Sequence, residues 1–142
     1  MSKKLVILVA CHKKSKVISN DNYIPIHVGK ALHPELDFGY IGDDTGENIS
    51  KLNPYYCELT AQYWAWKNLD CEYVGLCHYR RYFKTQFSDE NIEEQLDGGN
   101  DIILSEPSYF GEPIIEVLYR AHCQEDIYIF VQIISEFFPE YL

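Results

Sequence analysis

The sequence predicts an α/β fold in which helices flank a mostly parallel sheet. The continuous apolar run at residues 5–10 is typical of a strand that is buried on both faces of such a sheet. Strand-like and helix-like segments also alternate along the chain, which is the pattern of α/β units. With 142 residues, 46% of them hydrophobic and 15% aromatic, the chain is long and apolar enough to fold around one core. We therefore predict a single domain over residues 1–142.

The first half of the chain contains two predicted strands and a long loop. Residues 5–10 form the first strand. Residues 23–29 are also extended, and Pro25 restricts them to a sheet edge or an irregular segment. Residues 39–53 hold three glycines, three acidic residues and little apolar content, so they form a loop. Long loops inside compact domains usually carry function.

The centre of the chain reads as a helix followed by a strand. The helix covers residues 53–68, because Asn is a good cap and Pro is favoured at the first helical position. Leu59, Tyr63 and Trp66 fall on one stripe of this helix, which predicts the face that is buried. Residues 72–79 then return to the alternating pattern of a strand.

Residues 84–105 predict a short helix and a third strand. Ser88 can cap an acidic helix that runs to Leu96, and Gly98-Gly99 ends it. The β-branched run at residues 101–105 then predicts the strand.

Two helices complete the predicted fold, one over residues 113–123 and one over residues 125–138, which Pro139 stops. Ile129 and Ile133 of the last helix lie away from its apolar stripe, so the helix is apolar nearly all round. We expect another copy of the chain, or a missing C-terminal partner, to cover it. The predicted core stripe consists of Ile127, Phe130, Val131, Ile134 and Phe138.

The charge distribution excludes nucleic acid as the default partner and locates any phosphate chemistry. The formal net charge is −10. Residues 1–83 carry ten basic and nine acidic side chains, whereas residues 84–142 carry two and thirteen. We therefore expect phosphate to bind within residues 1–83.

The five cysteines predict neither a disulfide framework nor a zinc site, because they are irregularly spaced and form no C-x-x-C pair. We expect reduced thiols and a cytoplasmic location. The apolar run before Cys11 is shorter than the hydrophobic region of an export signal. No stretch approaches the ~20 apolar residues of a membrane-spanning helix.

Two predicted strand ends carry unusual chemistry. Ligands of α/β folds bind at the carboxyl ends of parallel strands, so neighbouring strands would present these groups to one crevice. A catalytic thiol at Cys11 is an alternative use of the first group, since basic residues follow it, although a cysteine at a strand end is usually a small hydrophobe. The two groups are Cys11-His12-Lys13-Lys14 and His78-Tyr79-Arg80-Arg81-Tyr82.

Five segments form long motifs that are rich in Trp and Tyr. They are Tyr-Ile-Pro-Ile-His-Val-Gly at 23–29, Gly-Asp-Asp-Thr-Gly-Glu-Asn-Ile-Ser at 42–50, Tyr-Cys-Glu-Leu-Thr-Ala at 56–61, Tyr-Trp-Ala-Trp-Lys-Asn at 63–68 and Gly-Leu-Cys-His-Tyr-Arg-Arg-Tyr-Phe at 75–83. Together they resemble a bacterial family of predicted glycosyltransferases, first catalogued as a domain of unknown function and met in capsule and exopolysaccharide gene clusters. The resemblance extends over essentially the whole chain and is densest from 23 to 83.

The resemblance implies a GT-A-like (Rossmann-like) nucleotide-sugar fold and a glycosyltransferase, similar to hexosyltransferases. The donor would be a nucleotide-diphosphate sugar, and the acceptor a growing cell-surface polysaccharide or glycolipid. A cytoplasmic enzyme of this kind would work at the inner face of the cell membrane. Relatives continue well past residues 139–141, so the resemblance also implies that this chain is the N-terminal, donor-binding portion of an enzyme truncated at its C-terminus.

The residues at the second strand end suggest how a diphosphate leaving group is neutralised. GT-A folds commonly hold a divalent metal with an Asp-x-Asp pair after a central strand, but this chain has His-Tyr-Arg-Arg there. Arg80 and Arg81 can replace the metal, because guanidinium groups offer bidentate donors to phosphate. The alternative is that both pair with the acidic side chains of residues 84–142. His78 is either a general base or a hydrogen-bonding strut, and the sequence favours neither. We assign His78, Arg80 and Arg81 to catalysis.

Five further residues are candidates for substrate binding: His12, Asp43, Asp44, Asn48 and Ser50. His12 lies where such folds receive the base of the nucleotide, although a lone His after a strand is often a plain loop residue. Asp43 and Asp44 can bind sugar hydroxyls or a divalent cation such as Mg²⁺ or Mn²⁺, or they can simply shape a turn. Asn48 and Ser50 would add hydrogen bonds. We assign no residue as a metal ligand.

Other readings of the sequence stay open. A non-catalytic fragment that binds a nucleotide or a longer homologue is the main alternative to a transferase. A plain nucleotide hydrolase is disfavoured, because the sequence has no G-x-x-x-x-G-K-[ST] loop. The aromatic residues Tyr63, Trp64 and Trp66 could form a sugar platform, but their helical spacing is more typical of core.

Overall fold

The computed structural model describes residues 3–96, 100–107 and 109–141. The chain forms two compact units, Met1–Ile103 and Leu104–Leu142. The single-domain organisation over residues 1–142 stays a prediction. The predicted helix terminator Gly98-Gly99 lies outside the described residues.

The first unit is built on a four-stranded sheet in which every pairing is parallel, as the sequence predicts. The order is β3-β2-β1-β4. β3 pairs only with the last two residues of β2, so β2 borders only β1 at Pro25, which suits a residue that lacks an N–H. The strands are β1 (Lys3–Cys11), β2 (Tyr23–His27), β3 (Ile41–Gly42) and β4 (Cys71–His78).

The core of this unit lies on both faces of β1, because the apolar run of β1 has no polar side. Its residues from Leu5 to Cys11 are at most 4% exposed. One face packs with Tyr23 and Phe87, and the other packs with Trp64. Each fully buried aliphatic side chain contributes about 1.5–3 kcal/mol.

The helix predicted over residues 53–68 is interrupted, so this prediction is wrong in the middle. α1 (Asn53–Tyr56) and α2 (Leu59–Asn68) are separated at Cys57, whose φ of 48° is unusual for a residue with a side chain. The Asn53 side-chain amide donates to the Cys57 carbonyl at 2.7 Å. A local hydrogen bond from a side chain therefore stabilises a break that helix propensity does not predict.

The buried face of α2 also differs from the predicted stripe. Leu59 is 53% exposed and Trp66 is 70% exposed. The sequence pattern misleads because this helix packs small residues against the sheet, beside a single large one. The buried residues are Thr60, Ala61, Trp64 and Ala65.

The segment after β4 contains a short helix, α3 (Ile92–Leu96), whose first amide donates to the Ser88 carbonyl at 3.1 Å. The strand predicted at residues 101–105 is wrong, since these residues have no regular secondary structure. Ile102 is 71% exposed and has no strand beside it in the described part of the chain.

The second unit contains α4 (Ile114–Ala121), which follows Pro113 as predicted, and α5 (Gln124–Phe137). Ile127 is buried, but Phe130 is 61% exposed and Phe138 is 48% exposed. The predicted core stripe of α5 is therefore wrong at Phe130 and Phe138, whereas Ile134 is half-buried. Within residues 104–107 and 109–141, the other regular elements are α4 and a short 3₁₀ turn, so little apolar surface is present there to cover α5. No helix of the described residues is long and apolar enough to span a membrane.

Candidate functional site

The two chemically unusual strand ends lie side by side, because β1 and β4 are neighbours, and the space between these ends is the crevice. Ala10 of β1 lies opposite His78 of β4 in the parallel register. The segments that follow these residues therefore leave the sheet side by side at its carboxyl edge. The ring of His12 lies 5.2 Å from the ring of Tyr79 and 6.1 Å from that of His78, measured between centroids.

Two cationic groups lie beside Tyr79 in this crevice. Lys13 Nζ lies 5.7 Å from the centroid of the Tyr79 ring, and the Arg80 guanidinium carbon lies 5.1 Å from it. Arg80 and Arg81 are both exposed, and neither guanidinium makes an ion pair with a carboxylate within residues 3–96 and 100–103. The crevice therefore presents positive charge that is available to an anionic ligand, although the chain as a whole is strongly acidic.

A cleft of about 360 Å³ opens beside this cationic group. It lies between the start of α2 and the end of β4, so it is bounded by two elements of the first unit. Its volume falls within the range of roughly 300–1,000 Å³ that small-molecule sites occupy. The lining residues are Glu58, Leu59, Leu76, Cys77, His78, Arg80 and Arg81.

His78 is hydrogen-bonded through one ring nitrogen, and its other ring nitrogen faces a carboxylate. Its Nδ1 accepts a hydrogen bond from the Arg80 backbone N–H at 3.2 Å, which places the ring proton on Nε2. Nε2 lies 3.4 Å from the Glu58 carboxylate. Burial lowers the pKa of His78, and the charges of Arg80, Arg81 and a protonated His12 add to this, while Glu58 opposes it. The folded chain thus favours the uncharged imidazole, and of its two predicted roles the geometry favours the strut.

Asp43 is fully buried and accepts hydrogen bonds from four donors. The backbone N–H groups of Gly29 and Lys30 donate to it at 2.9 and 3.1 Å. The hydroxyl of Thr60 donates at 2.6 Å, and that of Ser50 donates to the other carboxylate oxygen. This arrangement supports a structural role for Asp43, in line with the turn-shaping alternative that the sequence left open. A direct contact between Asp43 and substrate stays a prediction.

The other loop residues divide between internal and exposed positions. Ser50 is fully buried and accepts from the Ala31 N–H at 3.0 Å. The Asn48 amide donates to the carbonyls of Asp44 and Gly46, both at 3.0 Å, and so folds the loop on itself. Asp44 is exposed. Among the predicted loop residues, Asp44 therefore has the most accessible side chain.

The structure brings His12, His78 and Arg80 together, whereas Asp43, Asn48 and Ser50 form a separate cluster. Both groups lie at the carboxyl edge of the sheet, because the Asp43 N–H bonds to the carbonyl of the last residue of β2. No group of three or more His, Cys, Asp or Glu side chains in the described ranges is arranged to hold a metal ion.

Burial bears on two alternatives that the sequence left open, the thiol of Cys11 and the aromatic residues of α2. Cys11 is fully buried, its thiol donates to the Val9 carbonyl, and burial raises its pKa to about 11. It is therefore a poor nucleophile. Trp64 is buried and its Nε1 donates to Thr45, so it belongs to the core, whereas Trp66 does not.

Sequence reasoning missed Glu58, which faces His78 across the cleft. The signal available was an acidic residue within the motif at 56–61, but the break at Cys57 that separates Glu58 from α1 has no clear sequence signature. Tyr79, which contacts two cations and two imidazoles, was likewise not singled out as a site residue.

Comparison with known proteins decides the family. The sequence profile described as "Domain of unknown function (DUF4422)" matches residues 6–142. The chain belongs to the DUF4422 family. No curated protein matches this DUF4422 chain.

A solved structure extends the comparison. The DUF4422 chain is similar to the apo structure of WbbM, a bifunctional glycosyltransferase, with 47% sequence identity and a TM-score of 0.51. The match covers 54% of this chain and 14% of that one. The parallel sheet, its flanking helices and this likeness confirm the predicted α/β, GT-A-like fold, and they relate the chain to glycosyltransferases.

The Asp43 cluster generates a prediction about stability. Thr60→Val keeps the shape of the side chain but removes one of the four donors to a buried carboxylate. We expect the free energy of unfolding in urea to fall by about 1.5–3 kcal/mol, the scale of a lost hydrogen bond to a charged group. The control is Thr85→Val at an exposed position, which should stay within about 0.5 kcal/mol of the wild type. Equal stabilities for the two variants would contradict the structural role of Asp43.

Proposed function

We propose that the chain carries the donor-binding part of a glycosyltransferase, similar to hexosyltransferases, that uses a nucleotide-diphosphate sugar. The observation that carries the proposal is the cationic crevice around Tyr79, which lies at the carboxyl edge of a parallel sheet in a chain related to glycosyltransferases. Ligands of open α/β sheets bind at that edge. The acceptor that we propose is a cell-surface polysaccharide or a glycolipid.

Arg80 and Arg81 would neutralise the leaving group. When the bond between the anomeric carbon and the diphosphate breaks, its electron pair stays on the phosphate oxygen and negative charge develops there. Guanidinium groups can meet that charge with paired N–H donors, and fixed donors stabilise such a transition state without reorganising. Arg80 also lies over the Tyr79 ring, which limits the positions of its guanidinium.

His12 and the loop residues would bind the rest of the donor. The exposed ring of His12 follows β1 directly and faces Tyr79, a position from which it can contact the base of the nucleotide. Asp44 can accept hydrogen bonds from sugar hydroxyls, because its carboxylate is exposed. Asp43, Asn48 and Ser50 would act on the same ligand through the shape of the loop that they maintain.

The proposal places the protein in bacterial capsule or exopolysaccharide biosynthesis, in the cytoplasm or peripherally at the inner face of the membrane. Nucleic acid is not among the proposed partners, given the net charge of −10. A second candidate function is non-catalytic binding to a nucleotide or to a longer homologue. The exposed apolar residues of α5 favour it, because such surfaces often mark protein interfaces.

The first test measures diphosphate binding. A thermal-shift screen of nucleoside diphosphates and their sugars identifies the ligand, and titration calorimetry then compares variants. We expect Arg80→Ala or Arg81→Ala to weaken binding by about 1.5–3 kcal/mol, because each removes a charged hydrogen bond. Arg120→Ala is the control, since this guanidinium pairs with Glu112 in the second unit. Unchanged affinity in both crevice variants would contradict the proposal.

The second test concerns a divalent cation. If the arginines replace the metal, donor affinity should be the same with EDTA as with added Mg²⁺ or Mn²⁺. We expect this outcome, because the end of β4 carries guanidinium groups and no paired carboxylates. A clear gain in affinity on adding either cation, abolished by Asp44→Asn, would instead establish a metal site in the loop.

The third test concerns self-association through α5. Phe130 is 61% exposed and Ile129 is 51% exposed, so we propose that this face binds another copy of the chain or a C-terminal partner. Size-exclusion chromatography with light scattering should show association of the wild type that Phe130→Asp reduces. Gln132→Glu, on the same helix, is the control. A soluble wild-type monomer that binds no hydrophobic dye would contradict this proposal.

A further inference from the structure

Glu58 is the one carboxylate among the described residues that line the cleft beside Arg80 and Arg81. Its side chain is 42% exposed, so a ligand in the cleft can reach it. One of its oxygens faces His78 Nε2 at 3.4 Å, and the second oxygen has no contact of this kind. Arg80 and Arg81 would hold the diphosphate of the donor. A carboxylate beside them is therefore placed to act on the acceptor that reacts with this donor.

The fold positions Glu58 through the break between α1 and α2. The Cys57 carbonyl, in the peptide bond that leads to Glu58, accepts from Asn53 Nδ2 at 2.7 Å and lies 3.0 Å from Thr60 Oγ1. Thr60 also contacts buried Asp43 at 2.6 Å. The backbone of Glu58 is therefore attached to the most buried polar cluster of the unit, although its carboxylate stays accessible.

His78 is less well placed to accept a proton from a substrate. Its Nδ1 already accepts from the Arg80 N–H, and its Nε2 carries the ring proton and faces Glu58. The imidazole can donate towards the carboxylate and orient it, as a positioning residue. Of the pair, only Glu58 has an acceptor atom open to the cleft.

We infer that Glu58 is the catalytic base of the transfer and that His78 orients its carboxylate. The inference rests on the proposed function. The acceptor hydroxyl gives its proton to Glu58, and its oxygen forms the new bond to the anomeric carbon. The bond from that carbon to the diphosphate oxygen breaks, and the electron pair leaves with the nucleoside diphosphate. This single displacement inverts the anomeric configuration, and Glu58 later releases the proton to water.

The test separates this role from donor binding. Glu58→Gln keeps the size of the side chain but removes its basicity. Glu47→Gln is the matched control, because Glu47 also contacts α2, through Tyr63 and Lys67, but lies outside the cleft. The probes are uridine- and guanosine-diphosphate hexoses as donors, with alkyl glycosides and water as acceptors. Calorimetry gives donor affinity, and release of nucleoside diphosphate gives the rate.

We expect Glu58→Gln to bind the donor within about threefold of the wild type and to lose about 10²–10⁴-fold in rate, the usual contribution of a general base. Glu47→Gln should keep its rate. Formate should raise the rate of Glu58→Ala at least tenfold, because it can supply the missing base. Formate would not raise the rate if the role of Glu58 were purely structural. In NMR titrations Glu58→Gln should also lower the pKa of His78, because the Glu58 charge raises it.

Each result decides the inference. If Glu58→Gln binds the donor and its rate stays within threefold of the wild type, the inference about the base is overturned. The proposed function then remains intact. A product with retained configuration, or a Glu58→Ala rate that formate does not raise, also overturns the inference about the base. The wild type must bind a nucleotide sugar and release the nucleoside diphosphate. If it does not, both the proposed function and the assignment of Glu58 as the base are overturned.

Discussion

The buried carboxylate of Asp43 is the interaction on which the organisation of the carboxyl edge depends. It accepts from the backbone after β2, from Ser50 in the loop and from Thr60 in α2, so it connects three segments that are distant in sequence. A buried carboxylate without these donors would cost several kcal/mol, so the donors and the carboxylate must come together for the chain to fold. The position of α2, and with it Glu58, follows from this cluster.

A second constraint is the parallel pairing of β1 with β4. It brings together groups that are more than sixty residues apart, and it places their side chains at the edge where parallel sheets bind ligands. Tyr79 then becomes the common contact of two imidazoles and two cations. The positive charge is local, because the whole chain carries a net charge of −10, and the cations at this edge are what would attract an anion.

The family match and the geometry of the site are two independent observations. Membership in DUF4422 and the likeness to WbbM relate the chain to glycosyltransferases, but the match spans 14% of the length of WbbM. The proposed roles of Arg80, Arg81 and Glu58 come from the cleft that these residues share. Binding and rate measurements on this chain test those roles. The exposed apolar face of α5 is a separate feature of the second unit.

The sequence by itself determined the parallel sheet, the flanking helices and the unusual chemistry of two strand ends, because apolar runs and turn signals act locally. The order of the strands, which makes these two ends neighbours, was decided by the tertiary structure. It did not predict the break at Cys57, the exposure of Trp66 or the lack of a strand at residues 101–105. These depend on which neighbours are present to bury a side chain or to accept a backbone hydrogen bond. Only the tertiary structure placed Glu58 against His78, because their distance is set by the packing of a helix on a sheet.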